Sequence, residues 1–159
     1  VNIGIIIHSQ SGHTAKMATA IAERFRKAGH ETSVICLMTT GLIKPNSRRF
    51  TICNIPEQEE IDSFDAILFG GPVWSFSLSP VIRKCLGSLI GMEQKKTLGF
   101  VTHSLPKFFG ANNAVRAMSR ILAAAGAETL PGEALSYFLG FNKKKLAETI
   151  ERIFASVTA

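Results

Sequence analysis

Five parallel strands in the order 2-1-3-4-5, doubly wound with helices on both faces, are the α/β fold this sequence predicts, as one domain over residues 1–159. Three observations predict it. Almost continuous apolar runs at Asn2–His8, Asp65–Gly70 and Thr97–Thr102 read as parallel strands covered on both faces. Stretches with apolar residues at helical spacing follow them. The repeated β-then-α alternation, with no internal repeat or linker, implies right-handed crossovers and so a parallel sheet.

After the first strand, Met17, Ala18, Ile21, Ala22, Phe25 and Ala28 form a helical stripe, opposed by Glu23, Arg24 and Lys27 and stopped by Gly29. Glu31–Leu37 alternates, as an exposed edge strand does. From Met38 to Phe64 the pattern is irregular: Gly41, Pro45, Asn46 and Ser47 signal turns, Phe50–Cys53 suggests a short strand and Glu57–Ile61 a helical turn or two. Pro80–Ile90 is expected as a helix with Val81, Ile82, Cys85, Leu86 and Leu89 inward, and Asn112–Ala125 as another, ended by Gly126. A last strand falls between Ala127 and Phe138. Lys143–Val157 closes the chain as a helix with the stripe Leu146, Ile150, Ile153, Phe154 and Val157.

No apolar run approaches the roughly 20 residues that span a bilayer, and Val1–Ile7 has no charged leader or cleavage site, so a soluble, cytoplasmic protein with no membrane partner is expected. Cys36, Cys53 and Cys85 lack the spacing of a metal site or redox dithiol, and each is flanked by apolar residues, which predicts small core residues without chemistry. A net charge of +6 and a pI near 9.5 suit an acidic partner or anionic ligand. With no base-stacking motif among the basic pairs, nucleic acid is not expected as a partner.

Ligands of an open parallel sheet sit beyond the carboxyl ends of its strands, where the winding reverses, here after strands one and three. The first loop, Ser9-Gln10-Ser11-Gly12-His13-Thr14, leads into a helix whose free amides attract an anion. Ser9, Ser11 and Thr14 carry hydroxyls, Gln10 an amide, and Gly12 permits a tight turn. The loop has no Lys or Arg, and neither a Walker sequence nor a dinucleotide fingerprint is present, so a phosphate monoester held by neutral donors fits better than a polyphosphate. The alternative is that Ser11 or Thr14 only caps the helix.

The loop after strand three, Gly70-Gly71-Pro72-Val73-Trp74-Ser75-Phe76, holds the only tryptophan. Its glycines would admit a ligand close to the backbone, Pro72 would stiffen the turn, and Trp74 or Phe76 would present a flat face to a planar ring. Alternatively both aromatics fold back as core.

These two loops resemble the flavodoxin family, whose phosphate loop has the form Ser/Thr-x-Ser/Thr-Gly-x-Thr, met in full by Ser9–Thr14. Phe69–Pro80 is similar to the flavodoxin-like subset with a Gly-x-Pro-Val-Trp segment followed by Ser-Pro and a helix. The resemblance spans most of the chain and implies FMN as cofactor. It implies that Ser9–Thr14 bind the phosphate, and that Pro72, Val73, Trp74, Ser75 and Phe76 frame the ring. It also implies a third flavin loop, His103–Gly110, contributing His103, Ser104, Leu105, Phe109 and Gly110. His103 is alternatively an ordinary exposed histidine.

The family's carriers are acidic around the flavin, and this chain is basic, which implies either an acidic redox partner protein or direct reduction of a small-molecule acceptor. Three readings stay open: electron transfer through FMN, an NAD(P)H-dependent reductase of quinones or similar acceptors, and a cofactor-free interaction module. In the first two the flavin does the chemistry, and no side chain is required as a catalytic acid or base. No metal is expected.

Overall fold

The computed structural model of the chain describes residues 1–106 and 109–159; Lys107 and Phe108 of the third loop lie outside them. In chain order the elements are β1 (Asn2–Ile7), α1 (His13–Lys27), β2 (Glu31–Cys36), α2 (Gln58–Ser63), β3 (Ala66–Trp74), β4 (Ser77–Leu78), α3 (Pro80–Gly87), β5 (Lys96–His103), α4 (Ala111–Ala124), β6 (Glu128–Thr129), β7 (Glu133–Ser136) and α5 (Lys143–Thr158).

Strands pair in the order β2-β1-β3-β5-β6, all in parallel, and β7 also runs parallel to β5. The expected fifth strand is therefore split in two. Pro131, which cannot donate a ladder hydrogen bond, lies in the gap. With β6 and β7 taken together, the order is the expected 2-1-3-4-5. β4 is an addition, folding back antiparallel on the end of β3.

The isoleucines of β1 explain why this strand reads as a continuous apolar run. Ile3, Ile5 and Ile7 point to one face, where they meet Met17, Ile21 and Phe25 of α1 and Ile153 of α5. Ile6 points to the other, into a core with Ile67 and Phe69 of β3, Val81, Ile82 and Cys85 of α3 and Met118 and Leu122 of α4. A strand covered on both faces needs apolar residues at odd and even positions alike. Arg24 of α1 ties the first layer to α5 by a bidentate pair with Glu151 and by stacking its guanidinium 3.7 Å from the Phe154 ring centroid.

Phe50–Cys53 forms no strand; its only pairing is a single antiparallel bridge between Thr39 and Ile52. Cys36 and Cys53 correct the cysteine expectation, because both are exposed and only Cys85 is buried. Cys36 lies on the edge strand and Cys53 in the irregular connection, where apolar sequence neighbours do not imply cover. Burial raises the Cys85 thiol to about 11, so it stays protonated. No helix among the described residues is long and apolar enough to cross a membrane.

Candidate functional site

At the carboxyl end of β1 the chain turns through Ser9–Gly12 into α1. Gly12 adopts a left-handed backbone (φ 92°) as the helix N-cap and supplies no side-chain cap. Ser9 takes that role instead, its Oγ accepting from the Ala15 N–H at 3.2 Å, so neither Ser11 nor Thr14 caps the helix. A hydroxyl that accepts this bond still has its own proton to give. The backbone N–H groups of residues 10–14 have no acceptor among the described residues, which leaves a run of convergent donors at a helix start.

The side chains of this loop are already ordered. Thr14 is buried, and its Oγ1 lies 2.8 Å from the Oγ1 of Thr102 at the end of β5. Ser11 Oγ lies 2.9 Å from His13 Nδ1, and the His13 ring stacks on Tyr137 with centroids 3.9 Å apart. A cavity of about 490 Å³ opens beside the loop, lined by Gln10, Ser11, Thr14, Pro72 and Trp74 and by Ile43, Lys44 and Pro45. Lys44 brings to this cavity the basic side chain that the loop itself lacks. It arrives from the irregular connection after β2, and its ammonium has no partner among the described residues.

The segment after strand three is also rearranged relative to expectation. Pro72 and Val73 do not form a turn; they belong to β3, with Pro72 opposite Thr102 of β5. The strand accepts a proline there because β1 has ended. The Pro72 carbonyl points to the vacated side and accepts from the Ser79 N–H at 3.2 Å, and its missing N–H would point the same way. Gly70 and Gly71 serve the core and not a ligand: a Cβ on Gly70 would lie 2.2 Å from the Phe100 ring, and one on Gly71 would press on Ile82.

The turn comes at Ser75 and Phe76, both left-handed (φ 46° and 62°), in a two-residue hairpin that usually takes Asn-Gly. Trp74, at its base, is half-buried, whereas Phe76 is exposed, so the pair does not fold back as core. The buried His8 ring abuts Trp74 edge-on, with centroids 5.0 Å apart. His8 Nδ1 lies 2.6 Å from Ser79 Oγ, which also accepts from Val81 N–H as the N-cap of α3. Burial lowers the His8 pKa to about 4, so the ring is neutral at pH 7, and its Nδ1 shares a hydrogen bond with the Ser79 hydroxyl.

His103, at the end of β5, is buried rather than exposed. Its Nδ1–H donates to the Leu105 carbonyl, and its buried Nε2 has no partner among the described residues. A slot of about 100 Å³ is lined by Val73, Ser75, Phe76, His103, Ser104, Leu105 and Phe109, bringing the second and third predicted loops together. The Phe76 and Phe109 rings stand across it with centroids 6.0 Å apart. Gly110, the N-cap of α4 (φ 107°), locks these loops: a Cβ there would lie 2.4 Å from the Phe76 backbone. Sequence reasoning missed His8, Lys44, Ser79 and Thr102. His8 and Thr102 were detectable as polar residues at the ends of buried strands.

The model of the NADPH-dependent FMN reductase family matches residues 1–138. Among curated proteins, none matches the sequence. Among solved structures, flavodoxin 1 from Bacillus cereus superposes with TM-score 0.72 at 22% identity, covering 99% of this chain and 97% of that one. A flavodoxin from Streptococcus pneumoniae gives 0.73 at 15%, covering 99% and 98%. The Flv1 flavodiiron core from Synechocystis gives 0.71 at 18%, with 99% of this chain matched to 35% of that one. At such identities these structures speak for the fold alone. The family match covers most of the chain and accounts for a helix start with unpaired amides beside a tryptophan-walled cavity: the chain belongs to the NADPH-dependent FMN reductase family, with a flavodoxin-like fold and FMN as its cofactor.

Proposed function

We propose that this protein carries electrons on FMN, whose phosphate is held by the amides of residues 10–14. The hydroxyls of Ser9, Ser11 and Thr14, the amide of Gln10 and the ammonium of Lys44 would surround that phosphate, Gly12 shaping the turn and His13 bracing it from Tyr137. Pro72, Val73, Trp74, Ser75 and Phe76 on one side, and His103, Ser104, Leu105, Phe109 and Gly110 on the other, would frame the isoalloxazine. The carrying observation is the run of N–H groups without acceptors among the described residues, beside the cavity that Trp74 also lines.

Bound FMN supplies the redox chemistry, and the polypeptide supplies grip, exclusion of water and access. Trp74 is held by His8, which fixes its plane before the ring arrives. The Phe76 and Phe109 rings, with centroids 6.0 Å apart and planes tilted by 44°, would have to part and align to take a flat ring between them. Among the described residues, His103 Nε2 is the one buried polar side-chain atom at that slot without a partner, and a donor on the ring's pyrimidine edge would satisfy it.

The test is a titration of purified protein with FMN, followed by flavin absorbance and fluorescence. Quenched fluorescence with one equivalent bound supports the proposal, and no association ends it. A second reading, direct reduction by NADPH and delivery to a small acceptor, is favoured by the description of the matching family. Anaerobic NADPH added to FMN-loaded protein separates the two: rapid bleaching means a reductase, and persistent yellow means a carrier that needs a partner protein.

A further inference from the structure

Charge is segregated along the strand axis. The stretches 8–16, 37–49, 75–83, 104–106, 109–110 and 137–145 follow the carboxyl ends of the strands or open the helices that leave them. They contain eight of the eighteen basic residues and none of the twelve acidic ones. Glu148 adjoins them, lining a cavity with Ser104, Leu105, Pro106, Lys145 and Arg152. The rim of the candidate flavin cleft is thus predominantly positive, with Lys44, Arg48, Arg49 and Lys143 all exposed.

The same rim holds large apolar side chains in water: Leu42 (87% exposed), Phe76, Leu105, Phe109, Phe138 and Leu139 (93%). Two of them, Phe76 and Leu139, sit in left-handed backbone (φ 62° and 58°), where a side chain with Cβ is disfavoured. The close approach of Gly110 fixes the Phe76 backbone, and the Phe76 and Leu139 side chains are left turned outward, 59% and 93% exposed. Flavin would cover at most the face of Phe76; Leu42, Phe138 and Leu139 are on other loops. Apolar anchors ringed by charge mostly of one sign have the anatomy of a protein-binding face.

We infer that this rim is the docking surface for a redox partner protein whose own face is acidic around an apolar centre. This rests on the proposed electron transfer through FMN and specifies the partner. Opposite charges would steer the two proteins together with the flavin cleft at the centre of the contact. A lipid surface would also meet basic and apolar residues, but it is usually engaged by one convex amphipathic element. Here the anchors sit on separate loops around a concave cleft.

The experiment uses FMN-loaded protein and an acidic plant-type [2Fe–2S] ferredoxin, reduced beforehand with dithionite. Bleaching of the flavin is followed by stopped flow. One electron leaves each ferredoxin cluster, so two ferredoxins reduce one flavin. The rate should fall about tenfold or more as ionic strength rises from 20 to 300 mM, and by a similar factor in Arg48→Glu/Arg49→Glu. Lys27→Glu/Arg120→Glu, which makes the same change in net charge at the other end of the sheet, should leave it within about twofold.

Calorimetric titration with oxidised ferredoxin, which needs no electron transfer, should show salt-sensitive binding that the rim variant loses. If FMN fails to bind but this titration succeeds, the electron-transfer reading falls and the docking face stands. The inference is overturned by a salt-independent rate, by equal losses in the two double variants, or by sedimentation with phosphatidylserine vesicles while ferredoxin is ignored.

Discussion

Acid should destabilise this protein through His8, and by an amount that can be worked from its surroundings. The side chain is only 4% exposed, and burial lowers its pKa from 6.5 to about 4. Between those two values the unfolded chain binds a proton at this site and the folded chain does not. Stability from His8 is therefore fully present above pH 6.5 and is lost as pH falls through the window towards 4. At about 1.4 kcal/mol per pH unit, acidification from pH 7 to 5 should cost about 2 kcal/mol from this residue alone. His8→Asn keeps a hydrogen-bonding group near the Nδ1 position facing Ser79 without a titratable ring, and should lose about 2 kcal/mol less over the same interval. Urea unfolding at the two pH values reads this difference as a shift of roughly 1 M in midpoint. If wild type and variant lose the same stability, the buried neutral imidazole is not the acid-sensitive element. Trp74 fluorescence gives a second readout, because a protonated His8 would place a charge at the edge contact, with ring centroids 5.0 Å apart.

Three further outcomes are expected. Thr14→Val should weaken FMN binding by roughly 1 to 3 kcal/mol in a flavin titration, and Thr102→Val should reproduce part of that loss, because the two hydroxyls share a bond of 2.8 Å. Lys44→Gln should weaken FMN and inorganic phosphate alike and flatten the salt dependence of both, measured by calorimetry; unchanged binding would return the anion site to neutral donors alone. Ser75→Gly should raise stability by about 1 kcal/mol, read by urea unfolding, since glycine takes the left-handed backbone at φ 46° without strain.

The parts of the fold that could be read from sequence are those in which one strand or helix carries its own signal. β1 shows apolar residues on both of its faces because it feeds two cores, and α1 shows one stripe because it feeds one. The first loop was equally legible, since its position follows from the fold and its donors from residue type. Pro72 was misread because its tolerance depends on where a different strand stops, which no local pattern reports. Lys44 was missed for the same reason: only the path of the connection after β2 brings it to the cavity. Gly70 and Gly71 looked like ligand clearance but answer to Phe100 and Ile82, residues far away in sequence.

Strain and contact at the hairpin belong together. A Ser-Phe pair in left-handed backbone costs of order 1 to 3 kcal/mol per residue, and nothing in the hairpin itself recovers it. Gly110 supplies the missing constraint, because its bare Cα lets the Phe76 backbone settle against the start of α4 at a distance no side chain would permit. The second and third loops are thereby one unit with the slot between them, and opening that slot must move both. A ring entering there would act on the hairpin and on α4 together, so the same packing that strains Ser75 and Phe76 also prevents either wall from yielding alone.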